Sequence, residues 1–400
     1  MTKEPISPGP LSKIRVLEVT HMLAGPYCGM LLADLGADVI KIEPSSGDIA
    51  RRIGPHYVGP HNVYFASLNR NKRSVYLDLA TPEGQAALGE LAKGAHALIT
   101  NMRPAVIHKL GLTYEHLKRW NDRLVCVALT GYGLTGPYAD RPAYDYVIQA
   151  LAGIMTLTGD PDGAPTKAGF SIVDNSSGIM GAVGLLAKIV EGKGGQVDVS
   201  LYDVMLSQLN YLAAAYLNAD ERPRRYRNGA HPYIVPAQIF PTHDGYLALF
   251  ISHDRFWQSF AEEVKRPDWL TDPCFATMGA RNANRERVIA EVEALIKTDD
   301  TARWVERLGK LGIVVAGIET LEQALESDLT AARGMIETIE TAHGTLRLVG
   351  NPFKLAGYEA THRPAPLLGE HNAELLGGTG AGSATEVAPP IPPPTTSHSN

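Results

Sequence analysis

The chain is 400 residues long, 44% hydrophobic and 20% charged, with a formal net charge of -6, a composition that fills a buried core in two domains or in one large domain with an excursion. No block of like charge exceeds the short basic run ERPRRYR at 221–227, which argues against nucleic acid or a membrane surface as the main partner. Cys28, Cys126 and Cys274 form no CxxC pair and accompany no histidine cluster at ligand spacing, so neither a disulfide framework nor a metal site is expected. With no apolar leader and no run of about 18 apolar residues, a cytoplasmic location is expected.

In chain order, IRVLEVT (14–20) is a β-branched strand and GPYCGMLLADLG (25–36) has helical apolar spacing with Pro26 near its start. ADVIKIE (37–43) alternates again, which completes a βαβ unit. The alternation continues through RSVYLDL, PEGQAALGELAKG, AHALIT, YEHLKRWN and RLVCVAL, the pattern of a mostly parallel sheet covered by helices on both faces. Helical, Ala- and Gly-rich stretches follow at 144–157 and 176–190, then the strand GQVDVSLYD and one long apolar helix, VMLSQLNYLAAAYLNA.

The polar, turn-rich ERPRRYRNGAHPY marks a boundary. Beyond it AQIFPTHDGYLALFIS reads as a hairpin around Asp-Gly, followed by helices at RFWQSFAEEV, ANRERVIAEVEALIKT and TARWVERLGKLG. HGTLRLVGNPFKL reads as a second hairpin, and the Gly, Ser, Thr and Pro after about Leu376 as a disordered tail.

Glu43 ends the second strand where a ribose-binding acid would sit, but Gly25 and Gly29 with Pro26 do not make the GxGxxG turn, which disfavours a dinucleotide. Walker A, GxSxG and HExxH sequences are lacking as well. The remaining chemistry-bearing candidate is Asp174 in SIVDNSSGIM. At a helix start it is either an N-cap contributing about 1 kcal/mol or a nucleophile, kept ionised below about 3.9 by helix N–H groups and given room by Asn175, Ser176, Ser177 and Gly178.

VLEVTHMLAGPYCGMLLADLGADVIKIE, SGDIARRIGP, NRNKRSVYLDL, GYGLTGPYADRPAYDYVIQALAGIMTLTG, VDNSSG and the late RPAPLLGEHN together resemble the family III CoA-transferases (CaiB/BaiF, the formyl-CoA transferase superfamily) from about Leu11 to Leu376. The resemblance implies an α/β chain: a Rossmann-like large domain at 11–224 behind an arm at 1–10, a smaller α+β domain at 225–325, a return segment at 326–376, a tail at 377–400, and an interlocked-ring homodimer.

It also implies that Asp174 is the nucleophile, with capping as a compatible second role. A CoA thioester is then a substrate and no cofactor is held permanently. The implied CoA groove contains Leu77, Asn101, Met102, Lys109 and Leu110, with Arg103 beside them, and the acyl and oxyanion region contains His21, Gly131, Tyr132, Gly133, Tyr144 and Gln149.

Racemases of the same fold use a histidine where Tyr144 stands, and a phenol with a pKa near 10 is a poor base at neutral pH, so α-methylacyl-CoA racemase is the alternative. Leu23 and FISHDRFW at 250–257 turn the reading away from oxalate and formate and toward succinyl-type dicarboxylates. For the distal carboxylate a cation is needed, with Arg52, Arg70 and His231 as candidates.

Overall fold

The structure, a computed structural model, describes residues 9–377. The expected arm, apart from residues 9 and 10, and the expected tail, apart from Gly377, lie outside the described residues. The chain divides into two compact units, one of residues up to Ala152, Gly169–Tyr211 and residues from Asp328 onward, the other of Gly153–Ala168 and Leu212–Ser327. Residues 153–168 and 212–224, assigned to the large domain from sequence, thus cluster with the second unit.

The first unit opens with β1 (Arg15–Val19), α1 (Ala24–Asp34) and β2 (Asp38–Glu43), then the short β3 (Tyr57–Val58) and β4 (His61–Asn62), α2 (Val63–Asn69) and β5 (Arg73–Tyr76). It continues through α3 (Pro82–Lys93), β6 (Ala97–Thr100), α4 (Pro104–Lys109), α5 (Tyr114–Leu117), β7 (Val125–Thr130), α6 (Asp145–Leu151), α7 (Ile172–Glu191), β8 (Gly195–Ser200) and α8 (Leu201–Gln208). Some helices start where a side chain can hold a free amide: Asn62 accepts from Phe65 N ahead of α2, and Thr81 from Gly84 N ahead of α3, with Pro82 in the first turn.

Six strands form one parallel sheet in the order β5-β2-β1-β6-β7-β8. The chain builds outward from β1 in one direction, then restarts at β6 on its other side, so β1 and β6 flank the topological switch point, where α/β sheets open a crevice at the carboxyl ends of their strands. Leu17, Ile40, Val75, Leu98 and Cys126 fill one side of the sheet without solvent exposure, the near-continuous apolar run that a doubly covered parallel strand requires.

The second unit contains α9 (Asn210–Ala219, its first two residues with the first unit), β9 (Ala237–Pro241), β10 (Tyr246–Phe250), α10 (Asp254–Glu263), α11 (Met278–Ala283), α12 (Arg285–Ile296), α13 (Thr301–Lys310), β11 (Val314–Gly317) and α14 (Leu321–Glu326). The 237–252 hairpin forms as expected, antiparallel, and gains β11 as a third strand that the sequence reading did not anticipate. Trp257, Phe260, Trp269 and Phe275 stack into an aromatic core there. The long helix expected over 204–219 is two helices, broken where Asn210 takes φ 20°.

The chain then returns to the first unit with α15 (Asp328–Ala332), the hairpin β12 (Ile336–Thr341) and β13 (Gly344–Val349), and α16 (Asn372–Leu376). From 363 to 372 it lies along β5: Asn71 N donates to Arg363 O, His371 N to Ser74 O, and Tyr76 N to Asn372 Oδ1 at 2.8 Å. Among the described residues no helix is long and apolar enough to cross a membrane, and no cluster of His, Cys, Asp and Glu could hold a metal ion.

Candidate active site

Asp174 is the third residue of α7 and is not its cap. Ser171 stands at the N-cap without a side-chain capping bond. The first-turn amide of Val173 instead donates to Asp145 Oδ2 at 2.8 Å, while Asp145 Oδ1 accepts from Gln149 Nε2 at 2.6 Å. Asp145 opens α6 and is 7% exposed, and Gln149, one turn later, is fully buried. The capping role expected of Asp174 therefore belongs to Asp145. The Asp174 carboxylate is half-buried, and no donor among the described residues bonds it.

Burial, and after it the Asp145 carboxylate, push Asp174 up to about 7. This reverses the expectation of an acid held below about 3.9, because desolvation and a like charge outweigh the helix dipole when the nearest helix amide is already taken by Asp145. Of the small residues after Asp174, Ser177 and Gly178 are buried in packing, while Asn175 and Ser176 are half-buried. A Cβ on Gly178 would stand 2.8 Å from Ala24 O and 3.0 Å from the Tyr27 ring, so α7 closes directly on the start of α1. Ser177, also fully buried, has no partner for Oγ among the described residues.

The loops after β1, β6 and β7 leave the carboxyl edge of the sheet side by side. After β1, His21 is half-buried and its Nδ1 has no hydrogen-bond partner among the described residues. Burial lowers its pKa below the ordinary imidazole value, with Asp48 opposing and Lys41 reinforcing. After β6, Asn101 reaches across to His21: its Oδ1 accepts from His21 N at 2.9 Å and its Nδ2 donates to His21 O at 2.8 Å. After β7, Gly133 takes φ 91°, which favours glycine, and its N–H donates to Thr130 Oγ1 at 2.9 Å. Gly131 and Tyr132 precede it in the same turn, with the Tyr132 ring 6.0 Å from that of Tyr138.

The other residues singled out from sequence divide sharply. Leu77 follows β5 at the same edge and is buried, Met102 and Leu110 are half-buried against the core, and Arg103 and Lys109 are exposed with no acidic partner among the described residues. Tyr144 is 60% exposed at the N-cap of α6 and makes no capping bond. Arg52 is exposed and donates to Ser46 O at 2.6 Å.

Two of the proposed cations are corrected. Arg70 is buried, its guanidinium bonded to both Asp34 oxygens and to Val349 O, so it joins β13 to α1 and has no free face for a substrate carboxylate. His231 accepts from Tyr233 N and Ile234 N through Nδ1, and burial with Arg285 nearby lowers its pKa, so its ring is engaged in its own turn and disfavoured as a cation.

Two residues went unnoticed. Asp145 stood in plain view four positions before Gln149, the spacing that pairs side chains along a helix. Tyr64 on α2 has its phenol pKa raised by burial and then by Asp174 and Asp48, which puts it within electrostatic reach of the candidate nucleophile. No sequence signal marks it.

Residues 11–372 match the model of CoA-transferase family III. The chain is 36% identical to the acetyl-CoA:oxalate CoA-transferase of Acetobacter aceti over 92% of this chain and 95% of that one. It is also 36% identical to the succinate–glutarate CoA-transferase of Agrobacterium fabrum, over 94% and 97%. Among solved structures, a CAIB/BAIF family protein from Brucella suis superposes with a TM-score of 0.80 at 33% identity, covering 92% of this chain and 99% of that one.

Proposed function

The chain belongs to CoA-transferase family III, and on that premise we propose that it moves CoA from an acyl-CoA, with succinyl-CoA the leading donor, to a small dicarboxylic acid through an aspartyl-CoA on Asp174. The observation that carries this is a half-buried carboxylate with no hydrogen-bond donor, pushed up to about 7. A carboxylate that is poorly solvated is a stronger nucleophile, and at neutral pH a sufficient fraction is ionised to react.

Asp174 attacks the thioester carbonyl carbon. A C–O bond forms, the C–S bond breaks, and CoA leaves as thiolate from a mixed anhydride. The thiolate then attacks the aspartyl carbon of the anhydride, giving aspartyl-CoA and releasing the donor acid as a carboxylate. The acceptor carboxylate attacks aspartyl-CoA, and the same two steps in reverse deliver its CoA ester and regenerate Asp174. Every step exchanges one activated acyl group for another.

The GYG turn at Gly131–Gly133 and His21 are assigned to the thioester oxygen, Gln149 to orienting the acid pair through Asp145, and Leu77, Met102, Arg103, Lys109 and Leu110 to the CoA groove. Arg52 is the cation retained for the distal carboxylate. Oxalate, set aside on Leu23 and 250–257, returns to the acceptor panel because an equally similar relative is named for it. A homodimer, interlocked as the resemblance implies, is supported by Tyr146, Val147 and Leu151 on α6 and Ile179, Met180 and Val183 on α7, large apolar side chains left exposed in a single chain.

The test is mass-resolved formation of new CoA esters from succinyl-CoA and a panel of glutarate, oxalate, mesaconate and monocarboxylic acids, with Asp174→Ala alongside. A new acyl-CoA that disappears in the variant is expected. No exchange with any acceptor, together with α-proton exchange into a branched acyl-CoA in deuterated water, would overturn the reading in favour of the racemase.

A further inference from the structure

We infer that Asn101 is a positioning residue: its carboxamide, bridging the switch point between β1 and β6, fixes the backbone of His21 and so aims the imidazole, rather than holding CoA. The register of β1 and β6 ends at Val19 opposite Thr100. One residue beyond β6 the Asn101 side chain takes over, accepting the His21 N–H and donating to the His21 C=O. Its oxygen and its nitrogen are both engaged, and they extend by one residue a ladder that the backbones can no longer form.

The residue after His21 shows why such a clamp is needed. Met22 has φ 62°, a left-handed conformation that costs a side-chain-bearing residue roughly 1–2 kcal/mol. Its N–H reaches Asp48 Oδ1 at 3.2 Å, and Lys41 Nζ donates to Thr20 O at 3.1 Å. Lys41 is paired with Glu18 and Asp48, and Lys72 with Glu18, all four side chains buried, and Lys72 also donates to Pro26 O at 2.8 Å. A buried ion network of this kind contributes little net stability compared with apolar packing. Three of its backbone contacts fall on Thr20, Met22 and Pro26, and through them it holds the turn from β1 into α1 in one geometry. Asn101 secures the same turn from the opposite strand. At its centre is His21 Nδ1, buried and unpartnered, the kind of polar atom that a bound group satisfies.

The kinetic arm of the test rests on the transferase reading, and the spectroscopic arm does not. With succinyl-CoA and the accepted acid, Asn101→Ala is expected to lower kcat by about tenfold or more, since reacting groups tolerate little displacement, and to leave KM for the acyl-CoA nearly unchanged. In a double-mutant cycle, Asn101→Ala is expected to add nothing to His21→Ala, because one acts through the other. A raised KM with kcat intact, additive with His21→Ala, would mean that Asn101 contacts CoA and would overturn the inference.

Independently of activity, NMR of histidine-labelled protein, with the His21 signal identified by its loss in His21→Ala, should show the His21 titration rising toward the ordinary imidazole range in Asn101→Ala, as the turn opens between Asp48 and Lys41. An unmoved His21 signal refutes the clamp. Should Asn101→Ala not fold, Asn101→Leu, which is close in size, removes both the acceptor for His21 N–H and the donor to His21 O and adds no charge beside the ring, carries the same measurements.

Discussion

Replacing Asp174 by asparagine should remove the transferase activity and at the same time make the protein more stable. Folding raises this carboxyl from about 3.9 to about 7, roughly 3 units. At about 1.4 kcal/mol per unit this is roughly 4 kcal/mol, and water reaching a half-buried group reduces it to about 2 kcal/mol. Between those two pKa values the folded chain binds the proton more tightly than the unfolded chain, so stability falls as pH rises. The penalty is absent below about 3.9 and complete above about 7. Asparagine carries no such proton. Urea denaturation should therefore place Asp174→Asn about 2 kcal/mol above the parent protein at pH 8, the gap shrinking to below about 1 kcal/mol at pH 5. A variant no more stable than the parent at pH 8 would refute the account of a desolvated, unpaired carboxylate.

Asp145→Asn keeps an acceptor for Val173 N but removes the like charge, so the acid limb of the pH–kcat profile should move to lower pH, with Asp174 becoming easier to ionise. Arg70→Ala should cost about 3–5 kcal/mol in urea denaturation, the penalty for leaving Asp34 buried and unpaired, without raising KM for the acceptor acid. Ser177→Ala removes a buried hydroxyl that has no partner and should raise stability by about 1 kcal/mol in thermal or urea melts, whereas a loss of stability would show that Oγ is bonded in solution.

The parallel sheet was legible because buried strands such as VCVALT carry unbroken apolar runs between helices of clear 3.6-residue spacing. β11 was missed because VVAG after a helix is too short and too weakly bounded to be distinguished from a loop, and it becomes a strand through pairing with β10. Residue chemistry left Asp174 open between cap and nucleophile, and the family resemblance chose the nucleophile. Its pKa is raised rather than lowered because the dipole is visible from position along the chain, while burial, and after it the carboxylate of Asp145 on α6, 29 residues earlier, come from tertiary structure. Arg70 and Asp34 lie 36 residues apart, and nothing local to either residue announces their pairing.

The segment at 363–372 that lies along β5 bears on synthesis as well as on structure. β5 is an edge strand, and its outward amides and carbonyls are a template for pairing with any extended chain. In this protein they are occupied by residues made nearly 300 positions later: Ser74 N donates to His371 Nδ1, Ser74 O accepts from His371 N, and Tyr76 N donates to Asn372 Oδ1. While the ribosome is still adding the intervening residues, the sheet can assemble from β1 to β8 with one rim uncovered. Nascent chains stalled or truncated before 363 should therefore be the species that aggregate and draw chaperones, and protection of the rim should arrive late, with the final tenth or so of the chain.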